Sequence, residues 1–275
     1  MKIECNICPH RCKLDEGQLG FCNGRICRGG KVVSENYGKI TAMALDPIEK
    51  KPLYHFYPSS KILSVGSYGC NLRCRWCQNH EISMIDGRNI DYGNTSASAL
   101  VKRAYELKDR GNIGIAYTYN EPLIGYEFVK DCSTLAKEKG LKNVVVTAGF
   151  ICEEPLRELL PVVDAFNIDL KGFSQAFYKK LKGDLDTVKN TIRIASDHCH
   201  VEVTSLIIPG ENDNEEEMEA LSSWLSSINP DIPLHISRFF PRWKMQDREA
   251  TPIETVYHLA DIARRKLNYV YEGNC

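Results

Sequence analysis

Long apolar runs are missing from this 275-residue sequence, and no stretch approaches the roughly 20 apolar residues that a membrane-spanning helix needs. The opening residues, Met1-Lys2-Ile3-Glu4-Cys5-Asn6, contain no apolar core of a secretory leader. A surplus of either charge is missing too, since 35 Lys and Arg against 36 Asp and Glu leave a formal net charge of -1. That balance offers no field for nucleic acid or an anionic membrane, so a small molecule or a protein is the expected partner. The 43% hydrophobic and 26% charged residues are ordinary for a globular chain long enough to bury a large core. Cysteine is the exception: twelve occur, mostly clustered, which predicts metal ligation in a reducing, cytoplasmic setting and not a disulfide framework.

Three of them lie in Gly69-Cys70-Asn71-Leu72-Arg73-Cys74-Arg75-Trp76-Cys77-Gln78-Asn79-His80, directly after the apolar Lys61-Ile62-Leu63-Ser64-Val65-Gly66. No fourth cysteine of matching spacing follows. An iron–sulfur cubane normally takes four thiolates, so a three-cysteine loop implies one iron left open to another ligand. Zinc would want four protein ligands, or three and a water, and His80 is the only further candidate nearby. The spacing after a strand favours iron–sulfur over zinc. An open iron can bind the amino and carboxylate groups of S-adenosylmethionine and pass an electron to its sulfonium. The cofactor then carries the chemistry while the protein orients it and excludes water.

Residues 1–30 read as a separate cysteine-rich, metal-binding segment, with Cys5, Cys8, Cys12, Cys22 and Cys27 among five glycines and too few apolar side chains for a core. Cys5, Cys8, Cys12 and Cys22 form a plausible four-thiolate set for zinc or an auxiliary iron–sulfur cluster, with Cys27 spare. Residues 31–60 read as a connector. From 61 to 275 strand and helix signals alternate. Strands are expected over Ile62–Ser67, Ile113–Thr118, Asn143–Ala148, Ala165–Leu170, His200–Ile208 and Pro233–Arg238. Helices are expected over Ser98–Arg110, Pro122–Lys139, Glu154–Leu160, Ser174–Leu181, Val188–Ser196, Asn214–Ser227 and Thr251–Lys266, the last with Thr251 as N-cap, Pro252 at the first position and Glu254 at the third. Cys132, Cys152 and Cys199 lie within apolar-periodic segments and read as small buried hydrophobes. Six strand–helix repeats predict an α/β fold, a parallel sheet curved into a partial (β/α)6 barrel, with functional groups at the C-terminal strand ends.

The cysteine loop and its Trp76-Cys77-Gln78-Asn79 tail resemble the pyruvate formate-lyase activating enzyme group of radical S-adenosylmethionine (radical SAM) proteins, over residues 60 to 270. Taken with Cys5-Asn6-Ile7-Cys8-Pro9-His10-Arg11-Cys12, Gly20-Phe21-Cys22, Tyr119-Asn120-Glu121-Pro122 and His235-Ile236-Ser237-Arg238-Phe239-Phe240-Pro241, the whole chain is most similar to the AmmeMemoRadiSam system radical SAM enzymes. The resemblance implies a [4Fe–4S] cluster on Cys70, Cys74 and Cys77, with S-adenosylmethionine on its open iron. It implies that Tyr119-Asn120-Glu121, where the group usually has Gly-Gly-Glu, receives the methionine amino group. Asp169 and Lys171 match an Asp-x-Lys that serves the ribose and the methionine carboxylate, although an exposed strand-end ion pair is the plainer alternative. His235 stands where a histidine lies near the adenosine, and equally reads as a core histidine. Thr204 replaces an arginine that would hold the carboxylate. Subgroup members usually continue into a tail with a further cysteine pair, whereas this sequence stops at Tyr271-Glu272-Gly273-Asn274-Cys275, which leaves Cys275 without an assigned role.

By this reading the protein is an enzyme that cleaves S-adenosylmethionine reductively to a 5′-deoxyadenosyl radical for hydrogen abstraction from a small-molecule or peptide substrate. The expected electron donor is a low-potential flavodoxin or ferredoxin, and the resemblance adds the two other proteins of the AmmeMemoRadiSam system as partners. The alternatives are activation of a glycyl radical enzyme and, from another class, a non-catalytic iron–sulfur electron carrier.

Overall fold

The computed structural model describes residues 2–275. One eight-stranded sheet organises it: β1 (Ala42–Pro47), β2 (Lys61–Gly66), β3 (Asn112–Tyr117), β4 (Lys142–Thr147), β5 (Ala165–Asp169), β6 (His200–Ile207), β7 (Leu234–Arg238) and β8 (Val270–Gly273). Their spatial order follows the chain order. β2 to β8 pair in parallel, and β1 runs antiparallel along the edge of β2. Each crossover steps to the next position in one direction, so right-handed crossovers put the helices on one face and the sheet curls into a partial barrel. Two strands, β1 and β8, have no counterpart in the sequence reading. Both are edge strands with half-buried patterns that lack the apolar run of a central parallel strand.

The helices are α1 (Ala97–Glu106), α2 (Tyr126–Glu138), α3 (Glu153–Leu159), α4 (Gln175–Lys180), α5 (Leu185–Ser196), α6 (Glu215–Ile228) and α7 (Ile253–Arg264). Ser96, Asp184 and Asn214 cap α1, α5 and α6 by accepting the amide three residues on, which satisfies a donor that has no intrahelical partner. The expected cap of α7 is a correction. Pro252 is its N-cap and makes no side-chain cap bond. The Thr251 hydroxyl, fully buried, instead donates to the Ile207 carbonyl at 2.6 Å and accepts from the Phe239 amide at 3.3 Å. The residues before Tyr126 form a 3-10 turn, Pro122–Gly125. Cys132 is fully buried on α2, while Cys152 and Cys199 are half-buried.

The floor of the barrel is made by the segment between β1 and β2. Ile48, Leu53 and Phe56 pack against Ile62, Ala116, Val144 and Ala165, one apolar residue from each of β2, β3, β4 and β5. A chain segment inside a barrel brings backbone polar groups that need partners. Two interior side chains supply them. Asn167 on β5 donates to the Pro52 carbonyl at 2.7 Å, and Glu202 on β6 accepts from the amides of Tyr54 at 3.0 Å and His55 at 2.8 Å. Glu202 also accepts from His200 at 2.9 Å and His235 at 2.6 Å, so a wholly buried carboxylate has four donors. His55 reaches Tyr271 on β8 at 2.6 Å and closes the gap between the two edges.

Burial opposes ionisation of Glu202, but His200, His235 and the two amides overcome it and hold the carboxyl at about 2 against an ordinary 4.5. A carboxyl held below its unfolded value stabilises the fold fully above pH 4.5, and the contribution disappears as pH falls towards 2. At about 1.4 kcal/mol per unit the shift corresponds to a contribution on the order of 3 kcal/mol. Urea unfolding at neutral pH is therefore expected to show Glu202→Gln less stable than wild type, with the gap narrowing below pH 4.5. A gap independent of pH between 6 and 3 would contradict this account.

Candidate active site

Between β2 and α1 the chain makes the loop that carries Cys70, Cys74 and Cys77, fastened by Asn120 from outside it and by its own Asn71, Arg73 and Asn79. Asn120, just after β3, accepts from the Ser67 amide at 2.9 Å and donates to the Tyr68 and Gly69 carbonyls at 3.1 Å each. Asn71 donates to the Phe150 carbonyl at 2.7 Å, and Asn79 to the Tyr119 carbonyl at 2.7 Å. Arg73 donates to the carbonyls of Cys70 at 2.7 Å and Phe21, and its guanidinium lies 3.8 Å from the centre of the Phe21 ring. The Cys70 amide donates to the Cys22 carbonyl at 3.0 Å. Gly69 allows this approach, because it has φ +87° and a β-carbon there would collide with that carbonyl.

The three cysteines line a cavity of about 950 Å³ together with Tyr119, Asn120, Glu121, Asp169, Lys171, Thr204 and His235. That volume is near the top of the roughly 300–1,000 Å³ typical of ligand sites. Glu121 is buried; its Oε1 accepts from Thr147 at 2.6 Å and Leu123 at 3.0 Å, and its Oε2 from the Ala148 amide at 2.9 Å. Burial raises its proton affinity against those three donors. Asp169 and Lys171 pair at 2.6 Å, half-buried on the cavity wall. Burial works against the charge on Lys171, but Asp169 and the neighbouring Cys74 sulfur raise its proton affinity above the ordinary value. Tyr119 has a left-handed backbone, φ +71°, a conformation that favours glycine. Gly66 makes room for it, since a β-carbon there would lie 2.8 Å from the Tyr119 Cβ. The Thr204 hydroxyl is occupied by Asn167 at 3.0 Å.

Charge in the loop follows from its surroundings. Burial pushes the Cys70 thiol well up, reinforced by Glu121, Cys74 and Cys77. It pushes Cys74 up to about 12, with Lys171 opposing. Thiols in such a setting give up their protons to a metal and not to water, and the Leu72 amide, 3.4 Å from the Cys70 sulfur, adds a donor suited to a thiolate.

The N-terminal cysteines gather on the outer side of the same loop. Burial pushes Cys8 up to about 12 and Cys22 to about 11; Cys22 and Cys5 add to the first shift, Cys5 and Cys12 to the second. Cys5, Cys8, Cys12 and Cys22 thus share one neighbourhood. Cys27 does not join them, and its sulfur lies 3.8 Å from Glu16. Cys275 is exposed. His10 stacks on Phe21 and bonds to the Asn71 carbonyl at 2.8 Å. Among the described residues no three His, Cys, Asp or Glu converge closely enough to hold a single ion. This applies to both cysteine sets, and a cubane, which carries each thiolate on a separate iron, spaces them more widely.

Sequence reasoning passed over Asn71, Arg73, Asn79, Glu202, Asp46 and Lys51. Glu202 had a signal: His200, Glu202 and Thr204 are polar at every second position of an otherwise apolar strand, which marks a polar inward face. The others sit in loops or at strand ends with no periodic pattern.

Known proteins match this arrangement. The family model of the Radical SAM superfamily matches residues 64–224. The uncharacterized protein MJ0808 of Methanocaldococcus jannaschii is 42% identical over 99% of this chain and 81% of its own length. A pyruvate formate-lyase-activating enzyme of Clostridium pasteurianum is 28% identical over 58% of this chain and 67% of its own. A crystallised domain of a pyruvate-formate lyase-activating enzyme from Bacteroides vulgatus superposes with a TM-score of 0.52 at 18% identity, covering 58% of this chain and 99% of that one. Among the described residues no helix is long and apolar enough to cross a membrane. A three-cysteine loop after the first parallel strand of a partial barrel, matched over more than half the chain, establishes that this protein belongs to the radical SAM superfamily.

Proposed function

We propose that the cavity is the catalytic site of a radical SAM enzyme acting on a small molecule or peptide held at the barrel rim. One observation carries the reading: Cys70, Cys74 and Cys77 open onto the same cavity as Glu121, Asp169, Lys171 and His235. A [4Fe–4S] cluster with S-adenosylmethionine, once bound, supplies one-electron cleavage of the sulfonium and a 5′-deoxyadenosyl radical for hydrogen abstraction. The protein's part is to hold and shield. Lys171 offers an ammonium to the methionine carboxylate, and Asp169 an acceptor to the ribose. Oε2 of Glu121 has a single protein donor, which leaves it a lone pair for the methionine amino group. His235, which lines the cavity and is bonded to Glu202, would lie beside the adenosine. Thr204, already bonded to Asn167, does not replace the missing arginine.

Relatives named as pyruvate formate-lyase-activating enzymes favour a second reading, installation of a radical on a glycine of a partner protein. Against it, the loop after β7 is tied to the cysteine loop by reciprocal bonds between Arg75 and Lys244, at 3.0 and 3.1 Å, which narrows the rim for a whole polypeptide loop. A flavodoxin or ferredoxin supplies the electron, and the two other proteins of the AmmeMemoRadiSam system are the partners. Cys5, Cys8, Cys12 and Cys22 would hold a second metal, zinc or an auxiliary cluster; the cluster fits better, because among the described residues no three of them converge on a single ion, and the burial of Cys8 and Cys22 favours a cation beside them.

After anaerobic reconstitution and dithionite reduction, the protein should form 5′-deoxyadenosine and Cys70→Ala should not; an intact cluster without product would remove the radical reading. Lys171→Ala should weaken S-adenosylmethionine binding by roughly tenfold to a hundredfold, the worth of one charge-assisted hydrogen bond, read by calorimetry. Metal and sulfide analysis should find about four irons lost from Cys70→Ala, and a different complement lost from Cys5→Ala. Full iron retention in Cys70→Ala would overturn the cluster assignment. Asn120→Ala leaves the Ser67 amide unpaired, the Tyr68 carbonyl with Asn36 alone and the Gly69 carbonyl with only the Glu121 amide at 3.4 Å, a cost of roughly 1–3 kcal/mol for the unpaired group, and should shed iron faster on dilution than wild type.

A further inference from the structure

One group on the cavity wall has no part in the functions assigned so far. Lys51, just past the short 3-10 turn Ile48–Lys50, is only 3% exposed, yet lines the cavity that holds the three cysteines. Its ammonium donates to Asp46 Oδ2 at 2.8 Å and lies 4.9 Å from the centre of the Tyr119 ring. Tyr119 donates its hydroxyl to the same Asp46 oxygen at 2.9 Å. Asp46 is on β1 and Tyr119 follows β3, so three separate segments bring an amine, a carboxylate and a phenol together at one edge of the cavity. Asp46 is the only protein acceptor for the Lys51 ammonium among the described residues.

We propose that Lys51 is a nucleophilic amine that takes a carbonyl-bearing substrate as a Schiff base, with Asp46 as its proton acceptor and donor. The inference rests on the same cavity being the catalytic site, and names the substrate class as an aldehyde or ketone, including 2-oxo acids. The chemistry balances without an added reagent. Lys51 passes a proton to Asp46 across the 2.8 Å bond, and the free amine adds to the carbonyl carbon. The carbinolamine oxygen then takes protons from nitrogen and Asp46 and leaves as water. The product is an iminium on Lys51 paired with the Asp46 carboxylate, so the net change is ammonium and carbonyl to iminium and water. Burial, helped by neighbouring Lys50, lowers the proton affinity of Lys51 against the pull of Asp46, which is how reactive lysines are prepared. Burial and Asp46 push the Tyr119 phenol up to about 12, so it stays a donor that steadies Asp46 throughout.

Reductive trapping tests this on the reconstituted protein without S-adenosylmethionine or an electron donor. Glyoxylate or pyruvate with cyanoborohydride at neutral pH, followed by peptide mass spectrometry, should label Lys51 several-fold faster than its exposed neighbour Lys50. Asp46→Asn should slow labelling at position 51 and leave an exposed lysine away from it, Lys179, unchanged. Lys51→Arg should lose the adduct with iron content and circular dichroism unaltered. Labelling of Lys51 no faster than Lys50 with both carbonyls overturns the proposal. The radical reading stands or falls separately: a protein that traps but yields no 5′-deoxyadenosine loses that reading alone, and one that yields it without trapping loses only this one.

Discussion

The structure depends on holding a backbone segment that can form neither helix nor sheet. Three thiols must point into one cavity from eight consecutive residues, and a regular element would turn some of them away. The loop from Ser67 to Asn79 is therefore fastened piece by piece: the carbonyls of Ile82, Cys22 and Leu181 take the Gly69, Cys70 and Arg73 amides, Asn120 pairs with its first backbone groups, and its own Asn71, Arg73 and Asn79 reach carbonyls of other segments. Each is a short or rigid polar group, matched to backbone amides and carbonyls whose desolvation would otherwise cost more than the loop could return. Tyr119 shows how tightly the matching is drawn, because a bulky residue keeps a left-handed backbone there, with Gly66 cleared to receive it.

The N-terminal segment belongs to this same problem. The Cys22 carbonyl accepts the Cys70 amide, Phe21 supports Arg73, and His10 bonds to the Asn71 carbonyl. The outer face of the cysteine loop is thus built from residues that themselves lack an apolar core, so the order of one segment rests on the order of the other. Inside the barrel the solution differs. Glu202, Asn167, Asp46 and Lys51 are polar groups in a low-dielectric interior, tolerable because each has partners. Glu202 and Asn167 spend theirs on the backbone of the floor segment. Asp46 and Lys51 spend theirs on each other and on Tyr119, which leaves the amine bordering the cavity.

Much of the fold could be read from the chain because the relevant signals are local. The apolar runs of β2 and β4 mark central parallel strands, and the cap at Asn214 is a matter of three residues. The edge strands β1 and β8 were illegible for the complementary reason, since an edge strand with one open side needs no apolar run. Thr251 looked like a cap because Thr before Pro has that pattern; burial against Ile207 and Phe239 claimed its hydroxyl instead. In the site, the cysteine triad, Asp169 with Lys171, and Glu121 were visible as short motifs. Glu202 was not, because its partners lie far along the chain, and Lys51, five residues from Asp46, was not because only the fold brings that pair to the cavity wall beside Tyr119.

The sequence by itself determined the strand–helix order, the three-thiol loop and the family, because periodicity and close spacing are properties of neighbouring residues. Only the tertiary structure decided which polar side chains meet inside the barrel. Glu202 finds the Tyr54 amide 148 positions away and Tyr119 reaches Asp46 across 73, contacts set by how far the sheet curls and where the floor segment enters it. Curvature and closure are settled by the packing of all the strands together, and no local stretch of residues encodes them.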